Sequence, residues 1–208
     1  MIELFPPLQS DSLKDVFVAR FEELILSGRI SIGQKLPAER DLAQQLGVSR
    51  PVVHEGLVDL AAKGLVTLVP RRGTVVNDYR RCGSLALLNS LFSYHQGSLS
   101  PELRSSLLEM RELFEVETAR LAARRGPGEQ VKGLYEILAR EEQAIPGDPE
   151  AQADLDFEFH HQVAMASGNL LYPLLLQSCR QVYTNLSRRF FAVPENQPPV
   201  LEFHRRLA

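Results

Sequence analysis

Two histidines and an aspartate occur at a spacing that suits a metal ion. Asp156 and His160 are four residues apart in the segment DFEFH, so a helix would place both side chains on one face. His204 lies in a later predicted helix that a bundle could bring to the same pocket. Carboxylate and imidazole groups bind divalent metals such as zinc, nickel or manganese. The alternative, more common for an isolated Asp-x-x-x-His pair, is a surface ion pair or a structural hydrogen bond.

Arg111 is a candidate anchor for an acidic ligand. It lies in a predicted helix at 101–125. A guanidinium that faces a metal across a pocket can bind the carboxylate of a small organic acid that also reaches the metal. The alternative is an intrahelical salt bridge to Glu112 or Glu115, which are one and four residues further on.

A second set of side chains has the chemistry of DNA recognition. The predicted DNA-binding residues are Arg40, Ser49, Arg50, His54, Arg71, Arg72 and Thr74. Guanidinium groups pair bidentately with guanine edges or with phosphates. The formal net charge is −3, so binding of nucleic acid must come from such local clusters. Each arginine in isolation is more often a solvated surface charge, but four arginines at these places together favour DNA.

Two short helices joined by a tight turn, within residues 36–63, must position the first of these residues. Each predicted helix has one apolar face, formed by Leu42, Ala43 and Leu46 and by Val53, Leu57, Leu60 and Ala61. Gly47 supplies the turn because glycine accepts a positive φ, and Ser49 suits the N-cap of the second helix. The pattern predicts a helix-turn-helix, and an ordinary αα-hairpin is the alternative.

A β-hairpin is predicted directly after the helical pair. Residues 65–69 and 74–76 are β-prone and flank Pro70-Arg71-Arg72-Gly73, so two arginines lie at the tip. A helix-turn-helix followed by such a hairpin is a winged helix, in which the second helix enters the major groove and the wing contacts flanking DNA. A preceding helix at 10–28 has an apolar face that can pack on the pair.

From about residue 79 the chain has amphipathic helical patterns and no strand pattern. Helices are predicted near 84–96, 101–125, 128–144, 149–167, 170–192 and from 197 onward. The predicted fold is therefore mainly α. A winged helix-turn-helix domain at 1–78 precedes an all-α effector-binding and dimerisation bundle at 79–208.

Composition places the chain among globular proteins of a reducing compartment. It has 208 residues, 44% of them hydrophobic, which is enough to bury a core. Cys82 and Cys179 are its only cysteines, which excludes a disulfide framework or a zinc ribbon. The acidic residues among the first 20 do not suit a signal peptide, and no apolar run reaches the length of a membrane span. We expect a cytoplasmic protein without a membrane partner.

The DNA-binding motifs resemble the GntR family of bacterial transcription regulators. The resemblance covers roughly residues 13–77 and rests on LPAERDLAQQLGVSR at 36–50, on Gly64-Leu65-Val66 and on Arg72-Gly73-Thr74. Two positions depart from the family pattern. His54 stands where members usually have an arginine, and Gly56 replaces the usual alanine, which should weaken the helix by about 1 kcal/mol.

The second half is similar to the ligand-binding domain of the FCD group within that family, through residues 110–125 and through LDFEFHHQVAMASGN at 155–169. The resemblance implies a metal centre in a helical bundle, with Asp156, His160 and His204 at three ligand positions. The fourth ligand of the group, a histidine about one helix further on, has no counterpart before Ala208. Either the sequence is truncated and lacks a closing helix, or the site is incomplete.

Residues 165–195 also resemble FadR-like members, which respond to long-chain acyl-CoA and lack the metal ligands. The favoured function is a homodimeric regulator that reads a palindromic operator and acts as a repressor, released by a small organic acid at the metal site. An acyl-CoA-responsive regulator without metal is the alternative. A metal-dependent enzyme with Glu158 as base is disfavoured, because Glu158 faces away from the ligand pair. A helical scaffold without a ligand would leave the arginine-tipped hairpin unexplained.

Overall fold

A computed structural model describes residues 12–94, 101–126, 128–144 and 147–208. The chain divides into two compact units after Tyr94. The first unit therefore includes residues 79–94, which the sequence assigned to the second domain. A functional boundary near residue 78 stays a prediction.

The first unit is a winged helix. Its elements are α1 (Leu13–Leu26), α2 (Glu39–Leu46), α3 (Arg50–Ala62), β1 (Val66–Val69), β2 (Gly73–Val76), α4 (Tyr79–Cys82) and α5 (Ala86–Tyr94). The strands pair antiparallel, with Val69 opposite Gly73. Helix α1 begins at Leu13 with Ser12 as its N-cap, and the part of the predicted 10–28 helix before residue 12 lies outside the described residues. The predicted fold class is confirmed.

The core of the first unit is formed by the apolar faces that the sequence pattern predicted. Val53, Leu57 and Leu60 of α3 are fully buried against α1 and β1. Gly47 ends α2 in the left-handed conformation, with φ of 67°, as the predicted turn requires. Helix α5 joins the same core through Leu87.

Helix α5 is also held by a buried carboxylate. Glu22 of α1 accepts a hydrogen bond from Ser90 Oγ at 2.7 Å and is ion-paired with Lys63 at the end of α3. A buried carboxylate needs such partners, because an unpaired one carries a large desolvation cost. The contacts of Glu22 therefore link α1, α3 and α5.

Gly56 lies where α3 packs against α1. A Cβ atom at this position would be 2.3 Å from Cδ1 of Phe17, which is too close for two carbon atoms. The Phe17 ring is buried and stacks on Phe21, with centroids 4.4 Å apart. Gly56 therefore allows α1 and α3 to pack closely. The sequence alone predicted only its effect on helix propensity.

We expect Gly56→Ala to lower the free energy of unfolding by about 1 kcal/mol. Overpacking against Phe17 costs about 1–3 kcal/mol, and alanine returns about 1 kcal/mol of helix propensity. In a Phe17→Leu background the ring is gone, so the same substitution should stabilise the protein. Urea unfolding followed by circular dichroism measures both effects. If Gly56→Ala stabilised both backgrounds equally, the Phe17 ring would not be what prevents a side chain at position 56.

The second unit is a helical bundle arranged around α8. Its elements are α6 (Pro101–Arg125), α7 (Gly128–Ala144), α8 (Pro149–Ala166), α9 (Leu171–Ser178), α10 (Arg180–Phe191), a 3-10 turn (Pro194–Asn196) and α11 (Gln197–Leu207). Helices α6, α7, α9 and α10 all pack on α8. Most side chains of α8 are buried, which explains why this helix can position a site.

The predicted helix at 170–192 is wrong in one respect, because it breaks at Cys179 into α9 and α10. The N–H of Cys179 bonds to the carbonyl of Leu176, three residues back, which tightens the turn. The buried residues Leu176 and Tyr183 are two helical turns apart, so the apolar period continues through the break and did not predict it. None of the helices in the described ranges is long and apolar enough to span a bilayer.

Candidate metal centre and nucleic-acid interface

Asp156, His160 and His204 come together in the core of the second unit. Asp156 and His160 share one face of α8, and His204 reaches them from α11. Oδ1 of Asp156 lies 3.8 Å from Nε2 of His160 and 3.6 Å from Nε2 of His204. All three side chains are buried, and each offers a ligand atom within 4.8 Å of the other two. This arrangement can hold a divalent cation in a site with two nitrogens and one oxygen.

The carboxylate of Asp156 is oriented by α10. Its Oδ2 accepts hydrogen bonds from Tyr183 at 2.8 Å and from Ser187 at 3.1 Å. Burial raises the pKa of Tyr183 well above its usual value, and the negative charge of Asp156 raises it further. The phenol therefore keeps its proton and donates the hydrogen bond. Because Oδ2 is occupied by two hydroxyls, Oδ1 is the oxygen that faces the two imidazoles.

His160 is neutral, as a metal ligand must be, and His204 is oriented by two neighbouring residues. Burial lowers the pKa of His160, although the charge of Asp156 opposes this, so the imidazole stays neutral and has a lone pair to donate. The ring of His204 stacks on Phe159, with centroids 3.9 Å apart. Its Nδ1 lies 3.0 Å from both carboxylate oxygens of Glu141. Its Nε2 is buried and has no hydrogen-bond partner among the described residues.

Arg111 is connected to this centre through Tyr183. Its Nη2 donates to the Tyr183 hydroxyl at 3.1 Å, and its guanidinium lies 4.4 Å from the centroid of the same ring. The alternative salt bridge is also present, because Nε of Arg111 is 2.8 Å from Oε1 of Glu115. The salt bridge to Glu115 is therefore observed, and the role of Arg111 as an anchor for an acidic ligand stays a prediction.

Sequence reasoning missed Glu141 and the role of Ser187. Glu141 could have been found from its position, since it follows Leu134 and Leu138 on the buried face of α7, where a carboxylate is unusual. Glu158, the base of the disfavoured enzyme hypothesis, is ion-paired with Arg140 at 2.5 Å outside the ligand cluster. The position of Glu158 therefore does not support an acid–base role at the cluster of Asp156, His160 and His204.

The predicted DNA-binding residues on the helices are exposed. Arg50 and His54 are four residues apart on α3, so they share a face. Ser49 caps α3, and its Oγ accepts from the N–H of Val52 at 3.5 Å. Arg40 is near the start of α2, with Nε 3.2 Å from Oδ1 of Asp41. His54 lies against α2, because its Nδ1 is 2.9 Å from Oε1 of Glu39.

The wing presents two of its three predicted residues. Arg71 and Arg72 are exposed at the turn, where the N–H of Arg72 bonds to the carbonyl of Val69 at 3.0 Å. Arg71 has a φ of 61°, at a turn position that usually favours glycine or asparagine. A strained backbone position is often found at a functional site. The strain at Arg71 is therefore consistent with the predicted contact between its guanidinium and DNA. Thr74 is buried in the hairpin and does not join these exposed donors.

Both halves match known protein families. Residues 13–76 match the family "Bacterial regulatory proteins, gntR family", and residues 106–208 match the FCD domain. The "Fatty acid metabolism regulator protein" of Salmonella paratyphi B is 33% identical over 186 residues, which are 89% of this chain and 75% of that protein. The chain belongs to the GntR family. Since these relatives are named as regulators, this GntR protein is a transcription regulator and not an enzyme.

Two solved structures are similar to this chain, and one of them has a TM-score above 0.5. A structure whose description states that Lar controls expression of the Listeria monocytogenes agr system is 18% identical, covering 96% of this chain and 93% of that chain, with a TM-score of 0.52. A GntR protein of Streptococcus agalactiae is 30% identical, covering 94% and 87%, with a TM-score of 0.44. The likeness to Lar shows the fold alone.

His54 stands where the resemblance to the GntR family predicts an arginine. We expect His54→Arg to bind an operator more tightly and with a salt dependence steeper by about one charge, because each phosphate neutralised adds about 0.9 to the slope. Fluorescence anisotropy at several salt concentrations measures both quantities. The neutral variant His54→Gln should leave the slope unchanged. An arginine variant with unaltered affinity and slope would mean that position 54 does not face DNA.

Proposed function

We propose that this GntR protein is a ligand-responsive regulator that binds a palindromic operator in double-stranded DNA as a homodimer. It acts as a repressor, and a small organic acid at a divalent metal in the second unit releases it from DNA. The observation that carries the effector part is the buried Nε2 of His204, which has no described hydrogen-bond partner and lies beside two further ligand atoms. A buried polar atom without a partner is costly, and a metal ion would satisfy it.

The DNA-binding part rests on the exposed donors of the first unit. Helix α3 enters the major groove with Arg50 and His54 on its leading face, and Arg71 and Arg72 of the wing reach the flanking backbone or minor groove. Arg40 adds a phosphate contact from α2. Two copies related by a two-fold axis present two such heads to a palindrome. Because the operator lies on cellular DNA, we expect the protein in the cytoplasm.

Asp156, His160 and His204 would hold the metal. Oδ1 of Asp156 and the two Nε2 atoms suit zinc, nickel or manganese, in which carboxylate and imidazole ligands are both common. When bound, the metal supplies a cationic centre for the carboxylate of an acid. The residues of the chain orient the donors and keep water from them, since all three side chains are buried.

Arg111 provides the second anchor for the acid. Glu115 and Tyr183 engage Nε and Nη2, while the side chain keeps further N–H donors for a carboxylate. The Tyr183 hydroxyl connects this guanidinium to Asp156. An acid that contacts both Arg111 and the metal would favour one arrangement of the bundle, and its differential affinity would set the balance between DNA-binding and released states.

A second candidate is an acyl-CoA-responsive regulator without metal. It is favoured by relatives named as fatty acid metabolism regulators. In this version the Nε2 atom of His204 would remain buried with no hydrogen-bond partner among the residues described, at a cost of about 1–3 kcal/mol. We prefer the metal version for that reason.

Gel-shift assays with a pool of palindromic promoter fragments test the DNA-binding part. Binding at low salt is expected, and failure to shift any fragment would reject it. Metal content and melting temperature then separate the effectors. The metal version predicts bound metal and stabilisation by small organic acids. Absence of metal together with stabilisation by acyl-CoA would select the second candidate.

A further inference from the structure

Glu141 is a buried carboxylate that the proposed function does not use. It lies on the core face of α7 with Leu134 and Leu138, and is almost completely inaccessible to water. Burying an ionised carboxylate is costly unless it is paired and hydrogen-bonded. Its position therefore calls for a specific partner.

That partner is His204. Both oxygens of Glu141 lie 3.0 Å from Nδ1 of His204, so the carboxylate is centred on this one nitrogen. Phe159 stacks on the imidazole at an interplanar angle of 14°, which holds the plane of the ring. Glu141 and Phe159 together determine how His204 is oriented.

The contact also determines which ring nitrogen is protonated. An ionised carboxylate is only an acceptor, so Nδ1 must donate and must carry the hydrogen. In the neutral imidazole the lone pair is then on Nε2, which lies 3.6 Å from Oδ1 of Asp156. The opposite tautomer would place two buried acceptors 3.0 Å apart with no hydrogen between them.

We propose that Glu141 is a positioning residue that fixes His204 as the Nδ1–H tautomer and presents its Nε2 to the metal. The inference rests on the proposed metal site, although the tautomer can be tested without metal. Carboxylates that accept from the distal nitrogen of a ligand histidine set its orientation and raise its basicity. Glu141 acts through His204 and does not itself belong to the ligand cluster.

The next residue provides a matched control. Glu142 is exposed and bonds to Arg205, at 2.9 Å to Nε and 2.7 Å to Nη2. Both glutamates therefore connect α7 to α11, one inside the bundle and one on its surface. Glu141→Gln and Glu142→Gln remove the same charge from adjacent positions. A glutamine can either accept from or donate to Nδ1, so it no longer dictates the tautomer.

The first measurement is the 15N signal of each ring nitrogen of His204 in the metal-free full-length protein. We expect a protonated Nδ1 and an unprotonated Nε2 in the wild type and in Glu142→Gln, and a mixture in Glu141→Gln. The second measurement is zinc affinity by competition with a chelator. Glu141→Gln should bind zinc about 10–100-fold more weakly than the wild type, and Glu142→Gln should bind as the wild type does.

The two readouts separate this inference from the proposed function. A wild-type His204 protonated at Nε2 would overturn the inference even if Glu141→Gln failed to fold. Wild-type affinity and tautomer in a folded Glu141→Gln variant would also overturn it. If the wild type bound no zinc but lost the tautomer on substitution of Glu141, the metal part of the proposed function would fail and the tautomer assignment would stand.

Discussion

Replacing His160 by alanine is expected to weaken metal binding by more than about 100-fold, because even an outer partner of a ligand contributes 10–100-fold. In the proposed metal site His160 would supply one of the three protein ligand atoms, and its Nε2 lies 3.8 Å from Oδ1 of Asp156. The wild type should gain about 2.7 kcal/mol of stability at a metal concentration one hundred times the dissociation constant. The variant should show no such gain at the same concentration. Calorimetric melting with and without zinc, nickel and manganese measures the difference.

His161 provides the control for this prediction. It is the next residue on α8 and stacks on Phe157 at 5.8 Å, outside the ligand cluster. His161→Ala therefore removes an imidazole from the same helix and should retain the metal-dependent rise in melting temperature. Equal stabilisation of the two variants by metal would show that His160 is not a ligand.

Replacing Arg50 by alanine is expected to weaken operator binding by about 5–150-fold, the effect of losing one bidentate contact to a base. Arg50 is the first residue of α3 and is exposed, at the end of the helix that enters the groove in the proposed complex. If Arg50 contacts a phosphate and not a base, the loss should be uniform across operator sequences and the salt slope should fall by about one. Anisotropy titrations with the selected operator and with single-base variants distinguish these two cases.

Arg20 is a suitable control, because it is an exposed arginine of α1 that is not among the predicted DNA-binding residues. Arg20→Ala removes the same charge and should change the affinity far less. Similar losses for the two variants would indicate a general effect of charge and would contradict a specific contact by Arg50.

Local patterns predicted the winged helix correctly for physical reasons that act over a few residues. The apolar faces of α2 and α3 follow the helical period, and Gly47 accepts the left-handed turn between them. The hairpin follows from β-prone residues on both sides of a turn. The spacing of Asp156 and His160 placed both side chains on one face of α8, because a helix repeats every 3.6 residues.

Contacts between distant segments were decided only by packing. Glu141 and His204 are 63 residues apart, and their pairing depends on how α7 and α11 cross the bundle. Phe17 meets Gly56 for a similar reason, since the approach of α1 to α3 is not a property of either helix alone. The break at Cys179 likewise could not be predicted from the local helical period.

The sequence by itself therefore determined the family, the winged helix and the residue types available for DNA and metal, because these depend on local pattern and on side-chain chemistry. Only the tertiary structure decided that His204 reaches the α8 pair and that Tyr183 links Arg111 to Asp156. It also decided that Nε2 of His204 has no hydrogen-bond partner within the part of the chain that the structure describes. Such features require specific distances between separate helices. Those distances arise from the close packing of many side chains, which no short segment encodes.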